Sequence, residues 1–323
     1  MRQPVGPFRL AMMEAVLKKI QVGPVVVLSA KMTAALLLCL LPLLASASSS
    51  GGYSPLSFLL DLRGDSVKVR YAPGSLDRAS HSQDRFELVV ADCKSWAHNS
   101  MPLVVYVLGP EEWQAAEVDR PYGLPQHMSS TELAVASWGD AQTVALWRDL
   151  LGRRLPVVEG TALRGSPEEV ASIALQNVMA VVEAFEMCLA SSGISGDQPW
   201  IEGFLVQAMV RSFVQKHEAG RLAEVDGVFA SFSERGGGPG ALSLNQALEP
   251  ESLTQWLWAE AQFYEAAKRL AEEEGKAPAK AVFKLAGKQK GNLQAAVLVA
   301  EFPLLADWLK EAFAGDSAVP DGQ

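Results

Sequence analysis

The chain predicts an α+β fold, a small mixed β-sheet with covering helices followed by a mainly helical half. Residues 66–71 (Ser-Val-Lys-Val-Arg-Tyr) alternate polar and apolar side chains, the period of a half-buried strand. Residues 102–108 are a nearly continuous apolar run stopped by Gly109 and Pro110, the pattern of a strand buried on both faces. From Pro167 onward the apolar residues instead recur every three or four positions, which gives each helix one buried face.

The chain opens on a stretch that reads as targeting signal. Lys31 precedes an apolar run of about a dozen residues, and Ala45-Ser46-Ala47 follows as a small-residue cleavage site. Residues 1–47 are therefore expected to be a secretory signal region, with Met32 as the true start, and the protein to be secreted or periplasmic. The run is shorter than the roughly 20 residues of a membrane span, so no stable span is expected after cleavage. Cys39 follows Leu38, which disfavours lipidation. Residues 48–64, which begin Ser-Ser-Ser-Gly-Gly, read as a flexible mature N-terminus.

Residues 65–164 form the expected α/β subdomain. After the strand at 66–71, a turn at 72–76 leads into a helix over 77–96. The buried strand at 102–108 is followed by a short helix at 111–118, a turn at 121–125 and an edge strand at 131–136. Residues 139–152 carry Val144, Trp147 and Leu151 at helical spacing, and 153–164 read as a loop or short strand. Residues 165–314 form the helical subdomain. Its first helix, 167–190, starts at Ser166 with Glu169 three residues on, a capping box, and with Pro167 in the first helical position. A loop at 191–198 separates it from a second helix, 199–214. A flexible Gly-rich loop at 233–240 precedes helices at 251–274, 278–287 and 303–313, with shorter helical pieces at 242–248 and 293–296. Residues 315–323 read as a disordered tail.

The two consecutive helices, with Trp200-Ile201-Glu202-Gly203 opening the second, resemble the gluzincin metallopeptidases that carry a peptidase MA-like domain. The strand followed by Tyr71-Ala72-Pro73-Gly74-Ser75-Leu76-Asp77-Arg78-Ala79 is similar to the opening of that domain, and the likeness extends faintly from Val67 to Phe313. In such a family the first helix carries HExxH, whose histidines share a helix face and whose Glu activates the zinc-bound water. The matching residues here are Val182-Glu183-Ala184-Phe185-Glu186. The resemblance puts Glu183 at the vestigial general-base position, and Val182, Glu186 and Glu202 at former metal positions. Trp200, Gly203 and His127 become candidates to line the cleft. Valine cannot bind zinc, and carboxylates alone make a poor zinc site. The resemblance thus implies a zincin-like scaffold without its metal, and no cofactor is expected.

Taken without the resemblance, the same residues have plainer readings. Glu183 and Glu186 flank an apolar helix face and would sit on its solvated edge. Glu202 is a helix-start carboxylate favoured by the helix dipole, and Trp200 is a core or lid aromatic. His217-Glu218 begins like a zinc motif but has Arg221 where the second histidine belongs, so it reads as a helix end. A spatial cluster of His127 with Glu183 or Glu202 remains a way to hold a metal. Cys188 paired with a histidine remains a thiol site that a buried helical position would leave inert.

Composition bounds what is left. With 323 residues, 49% apolar and 20% charged, the chain suits an ordered protein of one or two domains. A net charge of −9 argues against a nucleic-acid footprint. Cleavage after Ala47 would remove Arg2, Arg9, Lys18, Lys19, Lys31 and Glu14 and leave −13, unsuited to anionic membranes or polyphosphates. Export permits a disulfide between Cys93 and Cys188, but Cys188 continues an apolar helix face, so two buried free thiols are expected.

The expected function is that of an exported non-catalytic pseudopeptidase that binds a peptide, a protein or an envelope component. Two alternatives stay open. One is a divergent hydrolase using Glu183 and Glu202, and the other is a purely structural envelope protein.

Overall fold

The structure is a computed structural model that describes residues 54–152, 155, 166–275 and 277–313. The expected signal region, the tail and nearly all of 153–164 lie outside these residues. From Phe58 the chain forms β1 (Leu60–Arg63), β2 (Val67–Tyr71), α1 (Leu76–Trp96), β3 (Leu103–Leu108), α2 (Pro110–Ala115), β4 (Gln126–His127) and β5 (Glu132–Ala136). There follow α3 (Ala141–Leu151), α4 (Pro167–Ser192), β6 (Ser195–Gly196), α5 (Pro199–His217) and α6 (Leu222–Arg235). The last elements are α7 (Leu244–Leu248), α8 (Leu253–Glu274), α9 (Pro278–Lys288), β7 (Asn292–Leu293), α10 (Ala295–Glu301) and α11 (Leu304–Ala312). The class is α+β, with helices predominating.

The sheet is mixed and has the order β1-β2-β3-β5-β4. β2, β3 and β5 run parallel, while β1 and β4 pair antiparallel at the two edges. Val67, Val69, Leu103, Val105, Val107, Leu133 and Val135 fill the inner face. Three expectations are corrected here. Residues 60–63, within the stretch expected to be flexible, form β1, tied to β2 by Asp61 pairing with Lys68 at 2.9 Å and Arg70 at 3.3 Å. β3 is not buried on both faces, because Val104 and Tyr106 are only half-buried. β5 is not an edge strand, since Gln126 and His127 pair with Ala134 and Leu133 along its outer side. An apolar run announces a strand but not its neighbour, and a two-residue strand leaves no periodicity to read.

α4 is the spine. Its capping box forms as the sequence predicts, with Ser166 Oγ accepting from Glu169 N and Glu169 Oε2 accepting from Ser166 N. The helix is long and apolar enough to cross a membrane, yet 89% of its apolar window is buried inside the protein. Its faces meet α1, α3, α5 and β5. Arg78 of α1 donates to Asn177 of α4 at 2.6 Å, which satisfies part of a polar pair that burial would otherwise make costly. The expectation of two free thiols is wrong. Cys93 of α1 and Cys188 of α4 form a disulfide, with Cα atoms 6.1 Å apart and both residues fully buried. The apolar face that carries Cys188 is the face that α1 covers, and helix periodicity does not reveal which helix does the covering.

Behind α4, α5 packs against α8, and α8 against α6. The Gly-rich turn after α6 is tied down, with Trp258 Nε1 donating to Gly238 O at 2.9 Å. Leu293, expected to open a short helix over 293–296, instead pairs in β7, parallel to β6, and the helix begins at Ala295. One apolar core runs from Val67 to Phe313 through both halves.

Candidate functional site

The site forms where α4, α8 and the loop between α2 and β5 meet. Glu183 interrupts the apolar sequence Val181-Val182-Glu183-Ala184-Phe185 and is fully buried, not on a solvated edge as the sequence alone suggested. A buried carboxylate needs a hydrogen bond on each oxygen and a nearby positive charge. Glu183 has both. Oε1 accepts from Arg120 Nη1 at 2.5 Å, while Oε2 accepts from His127 N at 3.0 Å and lies 2.7 Å from His127 Nδ1.

Arg120 is held in place from several sides. Its Nη1 also donates to Pro125 O at 2.8 Å, and its backbone N donates to Gln126 Oε1 at 2.9 Å. Trp113 Nε1 donates to Arg120 O at 2.9 Å. The guanidinium lies over the Trp256 ring of α8, 4.4 Å from its centroid, a stacking arrangement that suits a weakly hydrated cation. The loop is thus folded around its arginine, and the arginine is aimed at the helix.

Two more carboxylates complete the cluster. Glu186 lies one turn after Glu183 on α4, with Oε2 3.8 Å from His127 Nδ1. Glu260 of α8 accepts from Gln207 Nε2 of α5 at 2.5 Å. Three acids around one guanidinium cannot all ionise cheaply, and their proton affinities separate. Burial alone would raise the Glu183 carboxyl, but the Arg120 guanidinium and the His127 hydrogen bonds outweigh it and hold Glu183 down to about 2. Burial, then the charges of Glu183 and Glu260, push Glu186 well above the usual carboxylate range. Burial raises Glu260 to about 7, with the charge of Glu183 adding to it and the Gln207 hydrogen bond opposing it.

The split has a testable consequence. Glu260 binds its proton more tightly folded than unfolded, so the stability it contributes is complete below about pH 4.5 and lost as pH rises through about 7. Glu183 has the opposite sign, and its contribution is lost as pH falls from about 4.5 toward 2. Glu260→Gln is expected to flatten the decline in stability between pH 5 and 8 by on the order of 2 kcal/mol, measured by urea unfolding at each pH. An unchanged slope would mean that Glu260 does not carry the proton.

The structure brings together Glu183, Glu186 and His127, whose ligand-capable atoms all lie within 4.8 Å of one another. The remaining sequence candidates lie elsewhere. Val182 is fully buried in the core. Glu202 is exposed in the first turn of α5, and the α5 side chain that meets the cluster is Gln207, five positions on. Trp200 does not line a cleft, because its ring packs inside against Phe204 and Trp308. Gly203 lets α5 approach α8, since a Cβ there would lie 2.7 Å from the Phe263 ring. His217 ends α5 as expected and pairs with Asp92 at 2.9 Å. The disulfide removes Cys188 from thiol chemistry.

The sequence reading missed Arg120, Gln207, Trp256 and Glu260. Glu260 had a signal, because it lies four residues from both Trp256 and Tyr264 on a helix face that is otherwise apolar. Arg120 sits in an irregular loop and had none.

As a zinc site the cluster fits poorly. It offers one imidazole and two carboxylates, and a guanidinium is already paired with Glu183. No family model, curated protein or solved structure matches this chain.

Proposed function

We propose that the protein is an exported, non-catalytic relative of the gluzincin peptidases, in which an arginine has taken over the charge of the catalytic cation, and that it acts by binding a peptide or protein. One observation carries the reading. Glu183, at the general-base position that the resemblance assigns, spends both oxygens on Arg120 and His127. A general base needs a free oxygen within reach of the water it activates. A cation bound beside Glu183 would also meet the fixed positive charge of Arg120. The buried Cys93–Cys188 disulfide supports export, because such bonds persist in oxidising compartments.

Equilibrium dialysis against zinc followed by metal analysis is expected to find far less than one zinc per chain, and casein to stay intact. Casein cleavage that disappears in Glu183→Gln would overturn the proposal and establish a divergent hydrolase. The proximity of His127, Glu183 and Glu186 is the observation that favours that second reading. Under it, removing the guanidinium in Arg120→Ala should raise zinc occupancy toward one.

A further inference from the structure

Between Glu274 and Glu301 the chain carries no acidic residue and five lysines, at 276, 280, 284, 288 and 290, in a protein whose net charge is −9. α9 orders three of them. Its buried face, with Ala279, Val282, Phe283 and Ala286, turns toward α5 and α8, while Lys280, Lys284 and Lys288 stand exposed in a row on the other side. The row forms one wall of a groove of about 530 Å³, a volume that suits a ligand site, with Leu285 and Phe302 buried in the lining. These lysines take no ion-pair partner among the described residues, whereas Lys68, Lys216 and Lys268 each have one. Glu274 and Glu301 also line the groove.

We infer that this groove binds an extended acidic peptide segment whose Glu or Asp side chains fall at every second position. Residues four apart on a helix rise by about 6 Å. Alternate side chains of an extended peptide repeat at about 6.6–6.8 Å, so successive carboxylates on one side of the strand meet successive ammonium groups along α9, while the intervening side chains point away from that helix. A concave site with an apolar floor does not match a flat lipid surface. A long polyanion would extend past the groove onto a surface that is acidic on balance. A short acidic segment keeps each carboxylate within the roughly 8 Å of its lysine over which charges act at physiological salt. The inference uses none of the Glu183 cluster, so it stands whether or not the protein is a pseudopeptidase.

The test is fluorescence anisotropy at low salt with a labelled Glu-Ser repeat peptide. Saturable binding is expected, weakened at least about tenfold in Lys280→Glu/Lys284→Glu, which corresponds to about 1.4 kcal/mol. Arg63→Glu/Lys94→Glu makes the same change in net charge at exposed positions on β1 and α1 and should leave binding unchanged. All four positions are exposed, and circular dichroism checks that the variants fold. The milder Lys280→Gln/Lys284→Gln pair should fall in between. The inference is overturned if the repeat peptide does not saturate by about 1 mM. It is also overturned if a Lys-Ser repeat or an equally charged block-acidic peptide binds as well. Preference for polyphosphate or phosphatidylglycerol vesicles over the peptide would likewise sink it.

Discussion

Arg120→Met is expected to be among the most destabilising single substitutions in the protein, costing about 3–5 kcal/mol, because removing the half-buried guanidinium strands the fully buried carboxylate it pairs with. Arg120 Nη1 is the cation on Glu183 Oε1, and the carboxylate is fully buried. Without the guanidinium, Glu183 must either keep its charge with only His127 to support it or take up a proton in a site built for the anion. The loop that Arg120 holds through Pro125 and Gln126 loosens as well. The double variant Arg120→Met/Glu183→Gln should recover most of the loss, since it removes the stranded charge along with its partner. Urea unfolding of the four proteins in this cycle measures the coupling. A cost below about 1 kcal/mol for Arg120→Met would mean that the pair behaves like an exposed one and that the cation-substitution reading is wrong.

Loss of the disulfide should have an effect of the same size. Cys93 and Cys188 are separated by 95 positions, and closing a loop of that length restricts the unfolded chain by about 4–5 kcal/mol in the chain-entropy model. Cys93→Ser/Cys188→Ser also leaves two hydroxyls in a site with no exposure, so the change acts on the folded state too. The expected result is a large drop in the urea midpoint for the double serine variant, with a smaller drop for Cys93→Ala/Cys188→Ala. Reductant should reproduce the drop in the native protein and leave both variants unmoved. Equal stability with and without reductant would rule out a contribution from the bridge.

The two groups expected to matter most differed in how visible they were. Cys188 continued an apolar helix face and so read as an inert thiol, because periodicity describes one helix and the bridge depends on which helix covers it. Glu183 could be placed on its helix from the spacing of its neighbours, but its burial could not, since a flanking position becomes interior once a loop and α8 close over it. Glu186 and His127 were named on different grounds and meet only because β4 pairs with β5 beside α4. Glu202 and Trp200 were placed on the right helix, but one is exposed in its first turn, the other packs in the core, and neither reaches the cluster. The rotation of α5 turns Gln207 inward instead.

What the sequence determined by itself was local. The alternation at 66–71, the apolar run at 102–108, the capping box at Ser166 and Glu169, and the three-and-four spacing of α4, α5 and α8 all follow from backbone geometry acting over a few residues. What only the tertiary structure decided was which charges share a space: Arg120 with a carboxylate 63 positions away, Glu260 with Gln207, and three lysines along the wall of one groove. Short-range patterns say which side of an element faces inward. Crossing angles and strand order set what it meets there, and those depend on the whole core at once.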